Sequence, residues 1–582
     1  MMLKIKPLCV AFVFVTSCIS ISAWSDVTPA VTTTLQNDAN TSIFHPVYAK
    51  NGMVSSEHYL ATKIGVDILK RGGNAADAAV AVGFALAVVL PNAGNLGGGG
   101  FMMIHSARDN RDVAIDFREM APARSSRDMF LNSKGDVVED ESLYSHKAIG
   151  IPGTVAGLVH VLNKYGTMKL SEVMKPAIEF ADKGFFVADS LASMLREEQQ
   201  NLGKWEATRK IFFKKDKPLS FGDKLVQKDL ASSMRLISMQ GGKAFYEGEI
   251  ARKLIAEMNR HGGLISGDDL KRYRVVEREP AVGDYRGYKI ISMPPPSSGG
   301  THIIEILNLL ERYPLQAYGP NSAQNIHLMA EAMKLAYADR AEFLGDPDFT
   351  KIPVKGLTSK LYANTLADKI DPERQTPASE VKHGSPLPYE SNQTTHYSVA
   401  DRWGNVVSTT YTLNLNFGSG IVAEGTGILL NNEMDDFSIK AGVPNAFGLI
   451  GGDANAIAPF KRPLSSMSPT IVLKDGKPVL VTGTPGGSRI ITTTLQTIIN
   501  IIDHGMNPAE AAASPRIHHQ WTPDELRIEK GISPDTLRLL ETKGHKISVQ
   551  ETMGSTNTIY IKSDGFYGAS DPRTPDGMAF GY

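Results

Sequence analysis

The sequence predicts a chain of the α+β class, with helices and strands in separate blocks. Three observations predict it. Helical periodicity runs through Ser56 to Leu90, through most of 150–310 and through His302 to Tyr337. Strand-like alternation appears in two pairs, Phe101–His105 with Val113–Phe117 and Thr394–Val399 with Asn405–Thr412. The composition, 42% hydrophobic and 21% charged over 582 residues, is that of an ordinary folded protein and excludes disorder or a collagen-like repeat. Such a length suits three or four domains or one large one.

Taken in order, Met1 to Ala23 has Lys4 and Lys6, an apolar run from Leu8 to Val15, then small residues including Ser17, Ser20, Ser22 and Ala23. This order reads as a secretory signal peptide over 1–23, so the expected location is outside the cytoplasm, in the periplasm. Its removal leaves 59 basic against 62 acidic residues, a net charge of −3, which offers nothing to nucleic acid. Both cysteines, Cys9 and Cys18, leave with it, which excludes cysteine catalysis and a cysteine metal site. In an alternative reading, Val15-Thr16-Ser17-Cys18 resembles a lipobox that tethers Cys18 to a membrane. A polar lead-in over 24–46 follows, and the folded body is expected from Val47.

The helical stretch Ser56–Leu90 breaks at Arg71-Gly72-Gly73-Asn74, which can end one helix and begin the next. Its apolar run Ala78–Leu90 has 13 residues, short of the roughly 20 a membrane span needs, and reads as a buried helix. A glycine-rich loop from Ala93 to Gly100 leads into the first strand pair, with Arg118 just past the second strand. Pro294-Pro295-Pro296-Ser297-Ser298-Gly299-Gly300 forms a stiff turn. Asp368 to Gln393, rich in charge and proline, reads as an exposed, mobile linker. The second strand pair closes as a hairpin around Asp401-Arg402-Trp403-Gly404-Asn405.

Common catalytic motifs are missing. Gly203-Lys204, Gly242-Lys243 and Gly476-Lys477 are followed by Trp205, Ala244 and Pro478, never by the Ser or Thr of a P-loop. Gly418-Ser419-Gly420 lacks the strand-to-helix context of a dinucleotide fingerprint, and neither a Gly-x-Ser-x-Gly elbow nor a His-Glu-x-x-His occurs. His518-His519 is adjacent rather than at ligand spacing. Five dense segments remain in the last third: Thr394-Thr395-His396-Tyr397-Ser398, Thr412-Leu413-Asn414, Asn431 to Phe437, Pro463 to Pro469, and Thr484-Pro485-Gly486-Gly487-Ser488-Arg489.

In this order, with Gly94–Phe101 and Asp116-Phe117-Arg118-Glu119-Met120-Ala121-Pro122 upstream, they resemble the γ-glutamyltranspeptidase family of N-terminal-nucleophile hydrolases from about Val47 to Tyr582. The resemblance implies a four-layer αββα sandwich formed jointly by two chains of one precursor. It implies self-cleavage between Gln393 and Thr394, giving a large subunit 47–393 and a small catalytic subunit 394–582. It implies γ-glutamyl substrates such as glutathione, amino-acid or peptide acceptors, and no metal or organic cofactor.

Chemistry agrees. A threonine hydroxyl needs a base, and an N-terminal Thr394 carries one in its own α-amine, with an ordinary pKa of about 7.7–8.0. Unhindered N–H groups at Gly486 and Gly487 suit an oxyanion, and the resemblance gives Thr412 the task of orienting the Thr394 hydroxyl. For the γ-glutamyl end, Arg118 is expected to clamp the α-carboxylate, helped by Ser465 and Ser466. Asn414, Glu433 and Asp436 are expected to hold the ammonium. Glu433 stands where some members have Gln, and Phe447 lies in a lid-like stretch, 442–452, where a Tyr is familiar. Two rivals stay open: a glutaryl-cephalosporin acylase on the same fold, whose substrate has no α-amine, and an inactive binding protein for γ-glutamyl peptides.

Overall fold

The structure, a computed structural model, describes residues 42–386 and 396–582. The expected signal peptide and the Gln393–Thr394 junction lie outside the described residues. In chain order the principal strands are β1 (Val47–Ala49), β2 (Met53–Ser56), β3 (Gly99–Ser106), β4 (Arg111–Phe117), β5 (Val276–Arg278), β6 (Ala281–Tyr285) and β7 (Tyr288–Ser292). They continue with β8 (His396–Ala400), β9 (Val406–Thr412), β10 (Thr470–Lys474), β11 (Lys477–Thr482), β12 (Asn557–Lys562), β13 (Gly565–Ser570) and β14 (Met578–Gly581). They form two seven-stranded sheets, β14-β2-β8-β9-β3-β4-β5 and β1-β13-β12-β11-β10-β7-β6. All neighbours within each sheet are antiparallel.

Side chains alternate across each strand, and both faces find apolar partners. In β3, Phe101 and Met103 join Met53, Ile471, Val481 and Ile559 in a cluster drawn from both sheets. Met102 and Ile104 point the other way, into a second cluster with α1 (Tyr59–Lys70), α2 (Ala75–Val89), α3 (Thr154–Tyr165), α4 (Leu170–Lys183) and α5 (Glu249–His261). The other sheet turns Ile290, Val472 and Leu480 toward α6 (Gly299–Leu310), α7 (Ala323–Phe343) and α8 (Ile490–Ile502). Burial on both faces explains why β8 and β9 are buried along their whole length.

The break at Arg71–Asn74 is where α1 ends and α2 begins, with Asn74 and Asp77 forming a reciprocal capping box. α2 is buried at every position, and among the described residues no helix is long and apolar enough to cross a membrane. The stretch 150–310 is mostly helical, as expected, with β5, β6 and β7 breaking it near its end. Two expectations need correction. His302–Tyr337 is not one helix: α6 and α7 are separate, with Pro314 and Pro320 between them where a continuous helix would lack N–H donors. The described part of the supposed mobile linker is anchored. Thr376 N–H donates to Glu331, Ala378 N–H to Asp524 and Gly384 N–H to Asp339, so its backbone is held by carboxylates of the body.

Candidate active site

The central hairpin positions the site. Tyr397 and Tyr411 donate their hydroxyls to the carbonyls of Ala79 and Gly83 in α2, at 2.9 and 3.0 Å. Asp401 in the hairpin turn accepts the Ala75 N–H at the start of the same helix, 2.9 Å. At the far end of β9, Asn95 donates to the Thr412 carbonyl, 2.8 Å. Gly98 is packed so closely there that a Cβ on it would lie 1.9 Å from that carbonyl oxygen, which accounts for the glycine run.

Thr412 Oγ1 accepts the Asn414 N–H at 2.8 Å, and Asn414 Nδ2 donates to the Asn432 carbonyl at 3.0 Å. Thr394, the expected nucleophile, and Gln393 lie outside the described residues. The surroundings of the described start of β8 are defined: His396 pairs with Thr410, two residues before Thr412, and its ring lies against Gly483. Gly483 opens the loop that carries Gly486 and Gly487 to the N-terminus of α8. N–H groups at a helix start have no intrahelical acceptor and favour negative charge. Gly487 has φ +58°, and a Cβ there would meet Phe447 Cδ1 at 2.5 Å.

Arg118 is fully buried. Asp116 accepts its N–H at 3.0 Å, and Tyr273 donates to its carbonyl at 2.8 Å. Its fork is filled by carboxyls: Nη1 donates to Glu433 and Nη2 to Asp436, both at 2.5 Å, while Glu119 stands 3.5 Å from Nη1. Asn431 sets Glu433 in place, its Oδ1 accepting the N–H groups of both Gly150 and Glu433. The residues expected on opposite charges of a substrate are therefore bonded to one another. Burial pushes Asp436 up to about 8 and Glu119 up to about 7, against the pull of the guanidinium. Burial likewise raises Glu433 well above the carboxylate range, so the cluster holds protons near neutrality.

Several polar atoms here are buried with no protein partner: the hydroxyls of Ser465 and Ser466, Glu433 Oε2 and Asn432 Nδ2. Buried polar groups are normally satisfied, so this set marks a place built to receive a polar ligand. Arg118 Nε reaches the Pro463 carbonyl at 3.4 Å, which joins the Ser465–Ser466 loop to the cluster. The 442–452 segment is tied to it as well, through Asn445 Nδ2 to Asp436 Oδ1 at 3.3 Å and the Ala446 N–H to Asp435 at 3.0 Å. A cavity of about 270 Å³ opens onto Asp435, Asp436 and Asn445 beneath this segment.

One connected path thus runs from Gly487 through Phe447 and Asn445 to Asp436, Arg118 and the Pro463 loop. Residues that sequence reasoning left without a role take part in it. Glu119 follows Arg118 directly, a visible signal; Asn445 had none. Gln520 accepts from the Ser488 hydroxyl at 2.8 Å and donates to the Gly448 carbonyl at 3.0 Å, bridging the glycine loop to the lid-like segment. Next to it, His518 and His519 are buried, and burial lowers His518 to about 3, leaving it neutral.

A glycine turn at a helix start and a buried charge cluster lie at one end of the central hairpin, between two facing sheets. Comparison with known proteins gives the class. A model described as "Gamma-glutamyltranspeptidase" matches residues 61–581. The "Glutathione hydrolase proenzyme" of Escherichia coli (strain K12) is 56% identical over 580 residues, covering 99% of this chain and 100% of that one. Among solved structures, the cephalosporin acylase of Bacillus halodurans matches with a TM-score of 0.84 at 28% identity, covering 97% of this chain and 99% of that one. The gamma-glutamyltranspeptidase of Helicobacter pylori matches with a TM-score of 0.57 at 48% identity, over 58% of this chain and 97% of that one. The chain belongs to the gamma-glutamyltranspeptidase family.

Proposed function

We propose that this chain is an exported proenzyme that cuts itself between Gln393 and Thr394 and then moves the γ-glutamyl group of glutathione, or of a similar γ-glutamyl amide, to water or to an amino acid or short peptide. The mature form is a heterodimer of 47–393 and 394–582, wrapped as a four-layer αββα sandwich, and it works in the periplasm. The family match and the identity to a glutathione hydrolase proenzyme support the activity. The observation at the site that carries it is the buried Arg118 fork between Glu433 and Asp436, beside two hydroxyls without partners.

The α-amine of Thr394 takes the proton of its own hydroxyl, directly or through a water. The oxygen attacks the γ-amide carbon, and the N–H groups of Gly486 and Gly487 stabilise the oxyanion. Thr412 Oγ1 already accepts the Asn414 N–H, so its own hydrogen is left to orient the Thr394 oxygen. Collapse expels the amine, protonated by the Thr394 ammonium, and leaves a γ-glutamyl ester. Water or an acceptor amine then opens the ester by the same steps. The α-carboxylate of the donor displaces Glu433 and Asp436 from the Arg118 fork and takes Arg118 with the hydroxyls of Ser465 and Ser466, while its ammonium takes the released Asp436 and Glu433 with Asn414.

A glutaryl group has no ammonium, so two carboxyls placed for one weigh against the acylase reading. Purified wild type is expected as two bands on a denaturing gel, hydrolysing glutathione, and Thr394→Ala as one uncut, inactive band, with Thr394→Ser cutting slowly. Two bands from Thr394→Ala in a protease-free preparation would refute self-processing.

A further inference from the structure

Away from the catalytic cluster, two imidazoles converge on one carboxylate oxygen. Glu257 and His261 stand four residues apart on α5 and share a helix face, while His146 reaches them from the single turn His146–Ala148. His146 Nε2 lies 3.0 Å from Glu257 Oε1, and His261 Nε2 lies 3.5 Å from the same oxygen. The three donor atoms all fall within 4.8 Å of one another. Donors bound at about 2.0–2.1 Å around a tetrahedral ion stand about 3.3 Å apart; the two rings are stacked, 4.6 Å between centroids and 19° between planes, so the exposed His261 ring has to turn for both lone pairs to meet one ion.

The other carboxylate oxygen is occupied differently. Arg260 Nη1 stands 3.6 Å from Oε2 and the Glu424 N–H donates to it at 3.4 Å, while Arg260 is itself paired with Glu424 at 2.6 Å. These contacts orient the carboxylate from outside and leave Oε1 to the imidazoles, as outer partners of a ligating carboxylate do. His146 and Glu257 are buried and His261 is exposed, so an ion reaches the cluster from the solvent side.

We propose that His146, Glu257 and His261 form a binding site for one divalent transition-metal ion of the zinc and copper class. Nitrogen and carboxylate donors suit these ions, copper more tightly than zinc. The site is a structural clamp joining α5 to the His146 turn and takes no part in catalysis. A second triad, His327, Glu331 and His545, lacks these qualities although its donors are equally close. There His327 spends one nitrogen on His545 and the other on the Asp371 carbonyl, each at 2.8 Å, and the Lys334 ammonium lies 2.7 Å from Glu331.

The test uses tag-free mature protein. Calorimetric titration with zinc chloride alone at pH 7.5 is expected to show one ion per heterodimer. His261→Ala, an exposed change, and the near-isosteric Glu257→Gln are each expected to weaken binding at least tenfold, with glutathione hydrolysis unchanged. Trp205 provides an independent signal, its ring centroid 4.9 Å from His146 and 5.6 Å from His261. Copper(II) chloride is expected to quench its fluorescence in wild type and not in His261→Ala. Absence of a saturable zinc site in wild type, or equal affinity and stoichiometry in His261→Ala, overturns the proposal.

Discussion

Asp436→Asn separates a binding role for Asp436 from a merely structural one. The side chain is buried, its Oδ2 2.5 Å from Arg118 Nη2, and burial holds its carboxyl at about 8. At pH 7 it is mostly protonated in the free enzyme, so an amide of the same shape costs little stability. An arriving ammonium changes this, because it favours the ionised carboxylate, which an amide cannot provide. Stranding one partner of a desolvated charge pair costs about 3–5 kcal/mol. Ionising at pH 7 a group that titrates near 8 takes back about 1.4 kcal/mol. The remainder, about 1.6–3.6 kcal/mol, corresponds to a loss of about one to two and a half decades in kcat/KM. The assay compares a chromogenic γ-glutamyl anilide with the glutaryl anilide, which lacks the ammonium. The first should lose that factor, the second should be nearly unaffected, and the melting temperature should stay within a few degrees. Equal losses on both substrates, or a large drop in melting temperature with kcat/KM intact, would refute the reasoning.

Gly487→Ala forces a Cβ to 2.5 Å from the Phe447 ring at φ +58°, which moves the backbone N–H off the oxyanion; kcat should fall by up to the factor of about 10²–10³ that loss of an oxyanion donor costs, and steady-state kinetics on the folded variant check it. Phe447→Tyr gives the lid-like segment a hydroxyl worth roughly 0.5–1.5 kcal/mol if bonded, so the ratio of transfer to hydrolysis should rise; unchanged product ratios would count against a lid role. Stability should fall as pH rises. Burial lifts Asp436 from 3.8 to about 8 and Glu119 from 4.5 to about 7, so the folded state binds these protons more tightly than the unfolded one. Their contribution is complete below the ordinary values and is lost through about pH 7–8. Melting curves from pH 5 to 9 should show the decline, and Asp436→Asn should flatten it.

The sequence by itself determined the local elements and the chemical cast. Asn74 and Asp77 mark a helix start through their own hydrogen bonds, the Asp401–Asn405 turn joins two strands adjacent in sequence, and Arg118, Glu433, Asp436 and the Gly486-Gly487 pair are legible as residue types suited to their tasks. What tertiary structure alone decided was who faces whom. Arg118 meets Glu433 and Asp436 across more than three hundred residues of chain, and no local pattern encodes that a guanidinium will spend its fork on both carboxyls. Gln520 joined the site by bridging Ser488 and Gly448 across distant loops, and Asn445 by folding back onto Asp436 through a segment with no periodic pattern. The anchored segment before Pro386 was misread because its backbone N–H groups are held by distant carboxylates, and a backbone with partners in space looks, in one dimension, the same as one left to solvent.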